Sequence, residues 1–401
     1  MNSPINFAYQ DNFIQSDFFK KLLIELEQDA HSRRQKGGEA PFQSVSILKN
    51  HKLGALRLSH ELGGYGLSLH ELFQVLIKIS AIDPDLAQIF RSHYQFVEEI
   101  LRHPNQEFKH RWLQEIAKGS LIGNAFAEIN NLTVGSGKFE TRLIAVDQHF
   151  ILSGKKYFTT GTLYSDYVVV RVGQAEGKAF NVIIPTDRAG VEIVDDWDGI
   201  GQRYTASGST YLNNVQVFAD EIIEVVPEQV NFKSFTQLYL HAIIAGILQA
   251  TAQDAVALLQ KRGRSFSYAN TAHAAHDPIF LEKIGQISSH AFVAEAAVLH
   301  AAQLQDFALA HTDQGIVDFN LAHQAALAAS QVKIAIEPLA LATAAQLFDI
   351  TGASSTKRSL DLDRHWRNIR TLCSHNPASL KAVAVGKWLV HQENLPNNPY
   401  F

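Results

Sequence analysis

The chain carries eighteen histidines. An imidazole titrates near neutrality, so it can hold a proton, move one or bind a metal. His273 and His276 stand three apart with no evident carboxylate partner, so a solvated loop explains them better than a metal centre. The single cysteine, Cys373, excludes an intrachain disulfide and cysteine-rich zinc sites, and fits a reducing compartment. Arg364, Arg367 and Arg370 recur every three residues on one helix and read as structural ion pairing. The sequence holds no GxGxxG turn, no P-loop, no GxSxG elbow and no HExxH pair. Short motifs therefore give only a soluble α+β protein, and the rest has to come from the elements that carry these side chains.

The chain has 401 residues, 46% of them hydrophobic and 19% charged, which excludes general disorder. A net charge of −5 argues against a broad basic surface for nucleic acid. The start, Met1 to Phe7, has neither a basic nor an apolar leader region, which predicts no secretory signal and a cytoplasmic protein. The uncharged run from Ser234 to Gln253 contains His241, Gln237, Gln249 and Thr251, too many polar groups for a spanning helix, and is expected as a core helix.

Three blocks follow one another. Residues 1–120 read as helices. Ser68 and Glu71 form a capping box, Asp83-Pro84 is a second helix start, and Asn105 and Gly119 bracket a third helix. Residues 121–230 read as strands, among them Leu143–Val146, Phe150–Leu152, Tyr167–Val172, Phe180–Ile184 and Val191–Val194. No βαβ rhythm runs through them, so an antiparallel sheet or barrel is expected. Residues 231–401 return to long helices, over Ser234–Gln260, Ile279–Ala310, Val317–Phe348 and Leu360–Cys373, which predicts a bundle.

Helices, then strands, then a helical bundle is a block order that resembles the acyl-CoA dehydrogenase superfamily. Gly123-Asn124-Ala125-Phe126-Ala127-Glu128 and Gly154-Lys155-Lys156-Tyr157-Phe158-Thr159-Thr160-Gly161 resemble its two flavin-edge strands. Asp196-Trp197-Asp198-Gly199-Ile200-Gly201-Gln202-Arg203 resembles its third middle-domain signature. The run from Asp363 to Thr371, followed by His375-Asn376-Pro377, resembles the flavin-dependent monooxygenase branch, which includes dibenzothiophene monooxygenases and sulfur-acquisition oxidoreductases. Acyl-CoA dehydrogenases commonly have a glutamate base where this chain has Leu372-Cys373-Ser374-His375, and their alternative base position falls near Leu240-His241. Without a carboxylate base, α,β-dehydrogenation loses roughly 10²–10⁴ in rate.

The resemblance implies a two-component enzyme. Reduced FMN comes from a separate flavin reductase and reacts with O2 through a C4a-(hydro)peroxyflavin to oxygenate a small organosulfur compound or an amine. It implies catalytic roles for His375, His93 and Thr160. It implies cofactor contacts from Asn124, Phe158, Thr160, Arg264, Gly352 and Ser354, with Arg264 reaching the cofactor phosphate across a subunit boundary. Trp197, Leu372 and Cys373 are expected in the substrate pocket, and a homotetramer with no metal, nucleic acid or membrane partner is expected. Some relatives have arginine where Ser354 stands, histidine where Leu372 stands and aspartate where Asn376 stands, so the pocket is less polar than theirs. Two alternatives remain: an FAD-dependent acyl-CoA dehydrogenase with a displaced base, and a catalytically silent flavin-fold assembly protein.

Overall fold

The computed structural model describes residues 13–401 except 130–138, 174–178, 226–233, 264, 266, 270, 314–315, 351 and 399. Six helices come first: α1 (Asp17–Gln35), α2 (Phe42–Asn50), α3 (Leu69–Ile82), α4 (Pro84–Ile89), α5 (Arg91–Leu101) and α6 (Gln106–Lys118). Their ends follow local chemistry. The Ser68 side chain accepts from the Glu71 amide while Glu71 reaches back to the Ser68 amide, which starts α3. Asp83 caps α4 through the amides of Asp85 and Leu86, with Pro84 in the first turn. Asn105 caps α6, and Gly119 closes it in the left-handed region at φ 102°.

The strands form two four-stranded sheets. One runs in the order β1 (Ile122–Ala125), β4 (Tyr167–Gly173), β5 (Ala179–Pro185), β8 (Ile222–Glu224). The other runs β2 (Arg142–Val146), β3 (His149–Lys156), β7 (Ser209–Val217), β6 (Val191–Val194). Alternate residues of β4 and β5, Val168, Val170, Val172, Val182 and Ile184, share one apolar core with Leu152, Leu212, Val215 and Val217 of the second sheet. On the opposite face, Val169 and Ile183 pack with Phe96, Trp112 and Ile116 of α5 and α6. The pairing is antiparallel, as the sequence predicts, except between β1 and β4, which run parallel. The chain leaves β1, builds β2 and β3 in the other sheet and returns in the same direction, a crossover that local pattern does not reveal.

The bundle consists of α7 (Ser234–Lys261), α8 (Pro278–Ala310), α9 (Phe319–Gln346), α10 (Arg364–Cys373) and α11 (Ala378–His391). Three details differ from the sequence reading. A small hairpin, β9 (Thr312–Asp313) with β10 (Ile316–Val317), precedes α9, which starts at Phe319 with Asp318 as its cap. Asp361, at φ 48°, breaks the run expected from Leu360, so α10 begins at Arg364. The fifth helix, α11, was not expected. Among the described residues two helices, Ser234–Lys261 and Phe319–Asp349, are long and apolar enough to cross a membrane by composition. In the first, every residue from Ser234 to Leu248 is buried in protein. It lies between α3 and the other bundle helices, so it is apolar on all sides. Gly246 allows the close approach to α3, because a Cβ there would sit 2.5 Å from the Ile77 carbonyl oxygen.

Candidate functional site between sheet, bundle and α5

One wall comes from the first sheet and the turn after β3. The Thr162 hydroxyl donates to the Asn124 carbonyl at 2.9 Å, while the half-buried Asn124 side-chain amide has no partner among the described residues. Thr160 Oγ1 lies 2.7 Å from Ser207 Oγ, which lies 2.7 Å from Thr205 Oγ1; Thr205 donates onward to the Gln202 carbonyl. Between these polar groups Phe158 takes the left-handed region at φ 55° and stays 57% exposed. Its ring meets Trp197 edge-on, with centroids 6.2 Å apart. Trp197 is held by its indole N–H to the Gly201 carbonyl. That loop is tied to α10 by the Gln202 amide on Asn368 Oδ1 (2.7 Å) and by Arg367 on the Ile200 carbonyl (3.1 Å). An exposed Phe158 ring backed by the half-buried Trp197, beside the Asn124 amide and the Thr160 hydroxyl, is a surface shaped for a flat, polar-edged ring.

The opposite wall joins α5, the first turns of α7 and the α10–α11 junction. Ser92 donates to the Thr160 carbonyl at 3.4 Å, and its neighbour Arg91 donates through Nε to the Thr236 carbonyl at 3.1 Å. One residue along α7, Gln237 Oε1 accepts from Asn376 Nδ2 at 3.2 Å. His375 is thus brought to the same turn of α7 as Arg91. It is accessible to solvent, yet protein atoms crowd it on most sides, a combination that belongs to a residue on a concave wall. This crowding, then the charges of Arg91, Lys333 and Lys381, lowers its imidazole to about 3, so it is neutral at physiological pH.

His93 does not join this wall. It is fully buried, with the Ile122 amide donating to Nδ1 at 3.1 Å and Nε2 donating to the Gly54 carbonyl at 2.9 Å. Burial lowers it to about 4. With both ring nitrogens committed to backbone, His93 holds β1 against the 53–55 turn and is a positioning residue, which corrects the expected catalytic role. Leu372 and Cys373 also need correction. Both are buried in the bundle core, so they underlie the pocket and leave its lining to Arg91, Ser92 and His375.

Beneath His375 is a cluster absent from the sequence reading. Glu337 on α9 pairs with Lys333 one turn earlier, and both are buried. His241 Nδ1 donates to the Gln237 carbonyl at 2.9 Å, leaving Nε2 facing Glu337 Oε1 at 3.6 Å. Burial pushes the Glu337 carboxyl up, but the His241 and Lys333 contacts outweigh this and hold it below the usual range. The buried thiol of Cys373, next to Glu337, is pushed up to about 12 and stays protonated. Burial and Lys333 bring Lys381 down to about 7. A carboxylate is therefore present near the alternative base position, contrary to expectation, but it is locked in an ion pair. Lysine and glutamate at i, i+4 read as a solvated pair on any helix, so the only signal was the alanine-rich sequence around them.

Gly352 and Ser354 lie elsewhere. They are exposed, and Gly352 takes φ 64° with open space around it. Arg262 anchors this segment to the C-terminal end of α7 through the Ile350 carbonyl. Arg264 lies outside the described residues. Because α7 is roughly 40 Å long, one chain does not bring this set to the ring wall at the helix's other end. A separate cleft of about 830 Å³ opens between α1, α7 and α10, lined by Arg33, Arg34, Asp83, Asp254 and Arg364. There Arg364 pairs with Asp254, and Arg367 pairs with Asp361 and Asp363, the structural ion pairing their spacing suggested.

Comparison with known proteins fits this geometry. The family described as "Acyl-CoA dehydrogenase, N-terminal domain" matches residues 16–120, and "Acyl-CoA dehydrogenase, C-terminal domain" matches residues 238–379. A protein named "Probable FMNH2-dependent monooxygenase SfnC" from Pseudomonas putida is 27% identical over 98% of both chains. The dibenzothiophene monooxygenase of Rhodococcus erythropolis is 30% identical over 89% of this chain and 88% of its own. The solved structure of the methanesulfinate monooxygenase MsuC from Pseudomonas fluorescens superposes with a TM-score of 0.85 at 26% identity, covering 95% of this chain and 98% of that one.

Proposed function

We propose, for a chain that belongs to the acyl-CoA dehydrogenase superfamily and there to the flavin-dependent monooxygenases, that it oxygenates a small organosulfur compound with reduced FMN delivered by a separate flavin reductase. The observation that carries this reading is the wall around His375, where a neutral imidazole stands among cations and the nearby carboxylate, Glu337, is buried and paired. Among the described residues that arrangement lacks a free carboxylate base to deprotonate an acyl thioester.

The residues present fit FMN. The Asn124 amide and the Thr160 hydroxyl offer hydrogen bonds to a polar ring edge, and the exposed Phe158 with the half-buried Trp197 offers an apolar face. When bound, reduced FMN supplies the electrons that activate dioxygen, so that one oxygen atom goes to sulfur and the other leaves as water. The protein's part is to position, shield and control protons. Asn124 and Thr160 orient the ring edge, and Phe158 and Trp197 keep water from its face. His375, neutral beforehand, donates a hydrogen bond through its ring N–H or accepts one proton at its other ring nitrogen.

We extend this to a homotetramer in which each cofactor's phosphate is met by another subunit's Arg264, Gly352 and Ser354. The length of α7 supports that extension, because the segment with Gly352 and Ser354 is anchored at the end opposite Arg91 and Asn376. The test is rapid mixing of the protein and reduced FMN with oxygenated buffer. Flavin reoxidation slower than that of free flavin, and sped up by His375→Ala, is expected. Free-flavin kinetics for both proteins would remove the proposal.

A further inference from the structure

We infer that Arg91 is the specificity determinant of this site and selects a small oxyanionic head group, a short-chain alkanesulfinate, over a neutral aromatic sulfur compound; the inference rests on the oxygenase reading above. Arg91 opens α5 between two residues already placed in the pocket wall, Ser92 beside Thr160 and Thr236 beside Gln237. Its Nε–H donates to the Thr236 carbonyl, which fixes the plane of the guanidinium. The two terminal amino groups have no partner among the described residues, and they are not sealed from solvent.

Arg91 shares this state with Arg171, which among the described residues meets only the Asn181 side chain and the Phe126 ring, and differs in it from four other enclosed arginines. Arg33, Arg57, Arg188 and Arg364 each meet a carboxylate. Arg91 forms no ion pair among the described residues, although burial lowers it to about 10, which leaves it charged at neutral pH. A crowded cation without a counter-charge is costly unless a ligand supplies one. The groups facing His375 do not supply it. Lys333 and Glu337 on α9 neutralise each other, His241 on α7 and Cys373 on α10 are held uncharged, and Lys381 on α11 adds positive charge. The pocket thus carries an excess of positive charge.

A planar fork with two free amino groups matches two oxygens on one centre. A sulfinate presents two such oxygens and a sulfur that still has a lone pair to receive oxygen. A fused thiophene presents none of this to a guanidinium. An anion bound here also offsets the charge that Arg91 places beside His375.

The test is calorimetric titration of the protein with sodium ethanesulfinate and, in parallel, with benzothiophene, with and without saturating FMN. Wild type should bind ethanesulfinate and should prefer it to benzothiophene. Arg91→Gln should weaken ethanesulfinate binding by about 10- to 100-fold, and Arg91→Lys, which keeps the charge but loses the fork, should fall between. FMN affinity should stay the same in all three proteins. If Arg91→Gln does not fold, Arg91→Lys and the wild type's preference for ethanesulfinate over benzothiophene carry the test. Equal ethanesulfinate affinity in wild type and variants, or preference for benzothiophene, overturns the inference. So does loss of FMN binding in Arg91→Gln with sulfinate binding intact, because Arg91 would then serve the flavin. Wild type that takes FMN but not ethanesulfinate overturns the Arg91 inference alone; wild type that takes neither overturns the oxygenase reading as well.

Discussion

Histidine, the residue type that first drew attention, serves here in at least two capacities, and environment decides which. His375 keeps an accessible ring on a concave wall, while His93 gives both nitrogens to backbone partners. Burial alone makes His93 a stability element. Its folded pKa, about 4, lies below its unfolded value near 6.5, so its contribution is complete above about pH 6.5 and is lost as pH falls toward 4. His365, also lowered to about 4 by burial and by Arg364, acts in the same direction. For His93 this linkage is worth about 3 kcal/mol. We expect the thermal midpoint to drop between pH 6.5 and 4, with a shallower slope in His93→Gln; equal slopes would show that His93 is not buried neutral. Glu337 gives the opposite lesson about legibility. It is 96 residues from His241 and 36 from Cys373 in sequence, and nothing local marks the three as neighbours.

At the scale of elements, α7 governs the site. Its first turns accept Arg91 and Asn376, its middle packs on α3 at Gly246, and its far end anchors the segment with Gly352 and Ser354. Core packing over its first half fixes the helix, so the separation of the two residue sets is rigid. If ring and phosphate contacts come from different subunits, His375→Ala and Arg264→Ala chains, each inactive alone, should complement one another. Random reassembly after co-refolding should restore about a quarter of wild-type oxygenation. No recovery in verified mixed oligomers would contradict a shared site. The same elements show what pattern could deliver. Helix starts at Ser68, Asp83 and Asn105 rest on side chains within three residues of the amides they cap, so they were readable. The parallel β1–β4 pair, the hairpin before α9 and the break at Asp361 depend on partners or backbone angles that composition does not encode.

For the whole molecule, the order of helices, strands and helices was legible, because hydrophobic period changes from helical to alternating and back as the chain crosses each block. On the sheet side, Asn124, Phe158, Thr160 and Trp197 were expected from contiguous motifs, and Phe158 and Trp197 do meet ring to ring. The bundle side was only half legible. His375 was found through its motif, but Arg91 and the Glu337 cluster are assembled by packing between α5, α7, α9, α10 and α11. The wall they form has no free carboxylate and an excess of positive charge, and the proposed activity rests on it. Isotope transfer tests that activity most directly. With reduced FMN, ethanesulfinate and ¹⁸O2, the account predicts a sulfonate product carrying one ¹⁸O atom, with the second atom recovered in water. An unlabelled product, or no oxygenated product from any organosulfur compound alongside dehydrogenation of an acyl thioester, would contradict it.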